Sequence, residues 1–144
     1  MRITSYTDYS LRVLMYLALK GDEQATIREI ADSYDISKNH LMKVVQDLNS
    51  KGYLIALRGK NGGIRLNGDP ENINIGVLVR DMEQDLALVE CFGGDNTCII
   101  TPACHLKKIL AEALEAFFRS LDGYSLADLL PGSKRKALIR LLDM

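Results

Sequence analysis

Apolar residues in the first third of the chain recur with a helical period. Leu11, Leu14, Met15, Ala18 and Leu19 follow the i, i+3, i+4, i+7, i+8 spacing of an amphipathic helix over residues 9–20, which Gly21 and Asp22 end. "TIREIADSYD" begins with Thr26 as a cap, and Glu29 three residues later completes a capping box. Ile27, Ile30 and Ala31 form the inner face of that short second helix. Ser37 caps a third helix, "KNHLMKVVQDLNSK", closed by Gly52. Two short helices joined by a brief turn make a helix-turn-helix.

The period then changes. "YLIALRGKNGGIRL" places β-branched and aromatic residues on both sides of a glycine-rich turn, and Asn61 followed by Gly62 predicts a hairpin with positive φ at its tip. A hairpin directly after the third helix is a wing. Past Pro70, "NIGVLVRDMEQDL" reads as a helix with Asn74 as its cap. The longest stripe follows, with Leu106, Ile109, Leu110, Ala113, Leu114, Phe117, Phe118 and Leu121 alternating at spacings of three and one. So broad a stripe is buried most economically against its own copy in a symmetric dimer; packing on the first helix is the alternative. "YSLADLL" and "KRKALIRLLDM" predict short closing helices.

The expected fold is therefore mostly α with a small β wing: a winged helix-turn-helix plus a long dimerisation helix. Residues 1–72 form the DNA-binding region, with the helix-turn-helix at about 26–51 and the wing at about 53–66. Residues 73–104 hold a helix and a cysteine loop, and 104–144 the dimerisation and C-terminal helices, in one compact domain overall.

Charge sharpens the picture. The formal net charge of −1 conceals a balance of +3 over residues 1–66 (ten basic, seven acidic) and −4 over 67–144 (eight basic, twelve acidic). Between 36 and 66, Lys38, Lys43, Lys51, Arg58, Lys60 and Arg65 face Asp47 alone. Such an excess matches phosphate, although a solvated face would carry it as well. On the third helix Leu41, Val44, Val45 and Leu48 share one side. The opposite side presents Asn39, Lys43 and Gln46, with Lys38 in the first turn and His40 and Met42 on the flanks. Asn and Gln suit adenine edges, and Lys suits guanine or phosphate. Arg58, Lys60, Asn61, Gly62, Gly63 and Arg65 make the wing thin and basic enough for a minor groove. A dimer of such modules would read a palindromic operator in double-stranded DNA, with half-sites on the order of 34 Å apart.

All three cysteines fall within "VECFGGDNTCIITPACHLKKIL" as C-x6-C-x5-C. This is looser than zinc knuckles. Three thiols in a loop fit a soft-metal site such as an iron–sulfur cluster, but also three buried thiols or a redox switch. With Thr101 as cap and Pro102 as first helical residue, Cys104 would occupy the third helical position, where a helix N-terminus favours thiolate. The fourth position of a cluster would take a weaker, non-sulfur ligand or stay open. His105 diverges from Cys104 by about 100° on a helix and suits that position poorly; Asp8 is a candidate, although an acidic residue is ordinary in a first helical turn and Arg12 is its i+4 partner.

No apolar run reaches the roughly 18–20 residues that span a bilayer, and the N-terminus has no secretory pattern. The expectation is a cytoplasmic protein without membrane contact, in which thiols stay reduced. No nucleophile–base pair and no phosphate loop with its lysine occurs, so an enzyme is not expected.

"TSYTDYSLRVLMYLA", "SKNHLMKVVQDL", "GYLIALRGKNGGIRL" and "CIITPACHLKKIL", taken in order, resemble the NsrR/IscR group of iron–sulfur winged-helix transcriptional regulators over nearly the whole chain. The nitric-oxide-sensing repressors of that group are the nearer branch. The resemblance implies a homodimer with a 4Fe–4S cluster on Cys91, Cys98 and Cys104 of each subunit; 2Fe–2S is compatible with the same ligands. It also implies Asp8, in the "TDY" motif, as a fourth ligand given by the partner subunit. Nitrosylation or loss of the cluster would then release operator DNA. The cluster-assembly branch uses a histidine three residues after the last cysteine, where this chain has Lys107. The first cysteine gap is one residue longer than the branch pattern, an insertion that Gly93 and Gly94 can absorb. Two alternatives stay open: sensing of iron–sulfur supply or redox state, and a cluster-free DNA-binding thiol protein.

Overall fold

The computed structural model describes residues 1–144. Helix α1 is Ser5–Lys20 and begins four residues before its apolar period, because the Thr4 hydroxyl accepts the N–H of Thr7 and caps it. It runs through the centre of the molecule, with elements packed on several sides of it. Val13, Leu14, Tyr16, Leu17, Ala18 and Leu19 are all buried, so its apolar face is wider than a one-sided amphipathic helix would show.

Helix α2 (Ile27–Tyr34) carries both halves of the expected capping box. Asp35, at φ 53°, turns the chain into α3 (Lys38–Ser50), whose N-terminus is capped by the Ser37 side chain on the His40 N–H. Strands β1 (Leu54–Leu57) and β2 (Gly63–Leu66) pair antiparallel from Leu54 with Leu66 to Leu57 with Gly63.

The wing forms, but on a different turn from the one expected. Positive φ falls on Gly59 (108°), not on Asn61 or Gly62, and the Gly62 N–H closes the turn on the Gly59 carbonyl at 2.9 Å. A loop of five residues lets Gly59 take the left-handed step, which relieves Asn61 of it. Gly62 is needed for close approach instead: a Cβ there would lie 2.5 Å from the Leu57 carbonyl oxygen. A Cβ on Gly63 would lie 2.8 Å from the Ala25 oxygen, because Ala25 and Ile64 exchange two backbone hydrogen bonds (2.9 and 2.8 Å) and make a third, single-residue rung.

After a 3-10 turn at Pro70–Asn72, α4 spans Ile75–Met82, with Asn74 accepting the Val77 N–H. It stops short of the expected end because Glu83 turns extended and directs its carboxylate to the start of α1. Residues 83–104 then hold only two 3-10 turns, Glu90–Phe92 and Thr101–Ala103. Helix α5 (His105–Asp122) packs chiefly on α4 rather than on α1. The clasp lies at its C-terminal end. Arg80 grips the Asp122 carboxylate through two bonds of 2.5 and 2.9 Å and lies 4.5 Å over the Phe118 ring. Gly76 makes this possible, since a Cβ there would overlap Asp122. The bidentate bond to Arg80 holds the Asp122 carboxyl below the usual range. A 3-10 turn at Leu126–Leu129 and α6 (Gly132–Leu141) close the chain. No helix is long and apolar enough to cross a membrane.

Candidate nucleic-acid interface and cysteine loop

On α3 the four apolar residues Leu41, Val44, Val45 and Leu48 are buried, and Lys38, Asn39, Lys43 and Gln46 are exposed together with Met42. His40 is different. It is half-buried, and its ring meets the edge of Tyr9 with centroids 4.9 Å apart, which ties it to α1. Arg58, Lys60 and Asn61 stand exposed at the wing tip. Between the wing and the helix-turn-helix lies a cleft of about 410 Å³ with Arg28, Lys38 and Met42 on the helical side and Gly62 and Gly63 on the other. The start of both helices and the wing turn therefore open on one side of the molecule. Arg65 is not part of that cleft; strand alternation puts it on the opposite face of the hairpin, near Gly21 and Asp22.

Arg28 escaped the sequence reading. A signal was present: a basic residue in the first turn of α2 opposes the helix dipole, so its place there suits an anionic partner rather than the helix itself.

The cysteine loop closes on its own side chains. Glu90 accepts the Thr97 N–H (2.6 Å) and hydroxyl (2.7 Å), which holds its carboxyl below the usual range. Asn96 accepts from the Cys98 N–H (3.0 Å) and donates to the Thr101 hydroxyl (2.8 Å), which donates to the Cys98 carbonyl (2.8 Å). With its hydroxyl committed there, Thr101 cannot cap α5. The expected placement of Cys104 is corrected accordingly: Thr101–Ala103 is a separate 3-10 turn, and Cys104 is the N-cap residue of α5, in extended conformation, with no side-chain cap bond. It remains at the positive end of that helix.

Cys91 and Cys104 are half-buried, Cys98 is exposed, and all three are free. None of their thiols is used in the bonds that shape the loop, so the donor set fits an iron–sulfur cluster. No three Cys, His, Asp or Glu side chains of the chain meet closely enough to hold a single metal ion. Asp8 sits in the first turn of α1, half-exposed, and within the chain its carboxylate pairs with Arg12 at 2.7 Å. Lys107 lines a cleft with Cys91 and Phe92. Around the loop, Ile99 is 92% exposed, and on α5 Leu106 and Ile109 are 58% and 49% exposed.

Residues 3–132 match the model of the Rrf2 family, described as iron-dependent transcriptional regulators. The chain is 54% identical over 132 residues to the HTH-type transcriptional regulator NsrR of Bacillus licheniformis, covering 90% of this chain and 92% of that protein. It is 50% identical over 146 residues to NsrR of Bacillus subtilis, covering 100% and 99%. Among solved structures, a putative transcriptional regulator from Listeria innocua superposes with a TM-score of 0.74 at 30% identity, over 92% of this chain and 88% of that one. IscR from T. potens shares the fold, with a TM-score of 0.71 at 21% identity over 90% and 86% of the two chains.

Proposed function

This chain belongs to the Rrf2 family and is a DNA-binding transcriptional regulator; from that premise we propose that it is a homodimeric, cytoplasmic repressor that senses nitric oxide through a 4Fe–4S cluster. Cys91, Cys98 and Cys104 would hold the cluster in each subunit, and Asp8 would be given across the dimer. The cluster, when bound, supplies the iron with which nitric oxide reacts. The observation that carries this reading is that three free thiols, left out of every bond that shapes their loop, end at the N-cap of a long and largely exposed helix. Whatever occupies them is thereby joined to the surface on which a second copy would pack.

The chain's own residues account for the DNA half. Asn39, Lys43 and Gln46 offer base-edge partners from the exposed side of α3, and Lys38 stands in its first turn. Arg28 adds a phosphate contact beside them, and Arg58, Lys60 and Asn61 extend the contact along the wing. Gly62 keeps the wing turn tight against Leu57, and Gly63 keeps the wing close to Ala25 in the segment before α2. Arg65 is assigned a contact at the outer base of the wing, and His40 a role in positioning α3 on α1.

The test is anaerobic absorption and Mössbauer spectroscopy during nitric-oxide titration, with affinity followed on a duplex selected from a random-sequence pool by the cluster-loaded protein. A 4Fe–4S signature is expected, lost in each Cys→Ser variant. Nitric oxide should lower affinity by at least about tenfold, equivalent to about 1.4 kcal/mol. A colourless protein that binds equally well would overturn the reading. A response to oxygen or iron starvation without one to nitric oxide would favour supply sensing.

A further inference from the structure

The first turn of α1 is held from two sides. On one side Glu83 accepts the Thr4 N–H at 3.3 Å on both carboxylate oxygens, the Thr4 hydroxyl at 3.2 Å, and the hydroxyl of the fully buried Thr7 at 2.5 Å. On the other side the Tyr6 hydroxyl donates to the Lys43 carbonyl (3.3 Å) and to the Asp47 carboxylate (3.2 Å), both on α3. Glu83 is the residue at which α4 ends and the run toward Cys91 begins. It also makes every hydrogen bond that joins residues 83–104 to residues 1–72; the other polar contacts of that loop are internal.

We propose that Glu83 is a positioning residue that carries the arrangement of the cysteine loop to the recognition helix: it sets the placement of α1 through Thr4 and Thr7, and α1 sets α3 through Tyr6. A carboxylate at a helix N-terminus is favoured by the dipole, and the short charge-assisted bond to the buried Thr7 hydroxyl is the closest of its contacts with α1. A continuous helix transmits a shift at its first turn along its length. The inference rests on the cluster reading above, since that reading names what rearranges the loop.

The test is thermodynamic. DNA affinity of cluster-loaded and cluster-free protein is measured on the selected duplex for wild type, Thr7→Val, Thr7→Ser, Glu83→Gln and Tyr6→Phe. Thr7→Val is the key variant, because it removes one hydroxyl from a buried site with little change in shape. The expected result is that the loaded-to-free affinity ratio falls by about fivefold or more in Thr7→Val, Glu83→Gln and Tyr6→Phe, and is retained in Thr7→Ser. Cluster absorbance should stay that of wild type. In the cluster-free protein alone, hydrogen exchange over Lys43–Asp47 should quicken in Thr7→Val and not in Thr7→Ser. If the variants weaken both forms equally, Glu83 is a cap and nothing more, and the inference is overturned. A wild-type ratio of one would instead remove the cluster reading on which it rests.

Discussion

Residues 1–66 and residues 83–125 are built on opposite terms. In the first region, buried side chains from α1, α2, α3 and both strands close on one another within a single chain. In the second, Phe118 is the one buried residue, although α5 carries a continuous apolar stripe. The difference teaches where each part finds its stability. The core of the reading head closes within one chain, with α4, Phe118, Leu126 and Leu142 sharing it, while residues 83–122 present apolar surface that a second copy can cover and thiols that a cluster can cross-link. On the function proposed above, a sensor finished by a second copy and a cluster could change shape without unfolding the part that holds DNA.

The largest expected effect tests that division directly. Leu48→Ala opens a cavity in a fully buried site of α3 and should cost about 2–5 kcal/mol in urea unfolding, with DNA binding lost alongside. Ile109→Glu should leave the unfolding of the head nearly unchanged, within about 0.5 kcal/mol, and shift sedimentation from dimer to monomer. If Ile109→Glu unfolds the head, the two regions are one cooperative unit and the comparison breaks.

Legibility in the sequence followed the same division. Residues 1–66 could be read closely because their signals are local. Thr26 and Glu29 form the capping box, Ser37 caps α3, and Leu41, Val44, Val45 and Leu48 are inside as their spacing requires. Expectation and structure part where a competing partner decides the outcome, distant for Glu83 and Gly63 and local for Thr101 and Gly62. Glu83 ended α4 early because Thr4 and Thr7, far away in sequence, bind it. Thr101 gave up the cap of α5 to the Cys98 carbonyl. Gly62 and Gly63 are needed for approach to Leu57 and Ala25 rather than for positive φ, and no pattern along the strand announces that. The three thiols and Asp8 are visible as residue types, but no contact along one chain brings them together, and their grouping into one site belongs to the function proposed above.

Gly63→Val comes next in size. Its Cβ would fall 2.8 Å from the Ala25 carbonyl oxygen, so either the Ala25–Ile64 rung or the β1–β2 register must yield. Overpacking of this kind costs about 1–3 kcal/mol. The loss should appear in urea unfolding of the head and in DNA affinity, while a dimer measured by sedimentation survives. Within the interface, Asn39→Ala should relax preference at one base position by about 1–3 kcal/mol. Arg28→Gln should weaken all sequences alike and lower the slope of log affinity against log salt by about 0.9. A sequence-dependent loss for Arg28→Gln would move it from phosphate contact to base reader.

The smallest effect separates the two regions by pH. The Glu29 carboxylate accepts the Thr26 N–H at 2.7 Å and lies 3.3 Å from Lys20, and its pKa is lowered, chiefly by the Thr26 backbone bond. A carboxyl depressed on folding stabilises the native state above its unfolded pKa, and that stability is lost as pH falls through the folded value. The Glu29 side chain is 43% exposed and screened by solvent, so the contribution is on the order of a few tenths of a kcal/mol. Glu29→Gln should therefore differ from wild type at neutral pH and converge with it as the wild-type carboxyl protonates. Thr26→Ala keeps the backbone N–H and loses only the hydroxyl cap, so its cost of about 1 kcal/mol should hold across the same titration. Glu90 is bonded to Thr97 in an equally local way, but no buried core surrounds it. Glu90→Gln should leave global unfolding where it was and quicken hydrogen exchange at Thr97 and Cys98 alone, because opening that loop does not require the head to open.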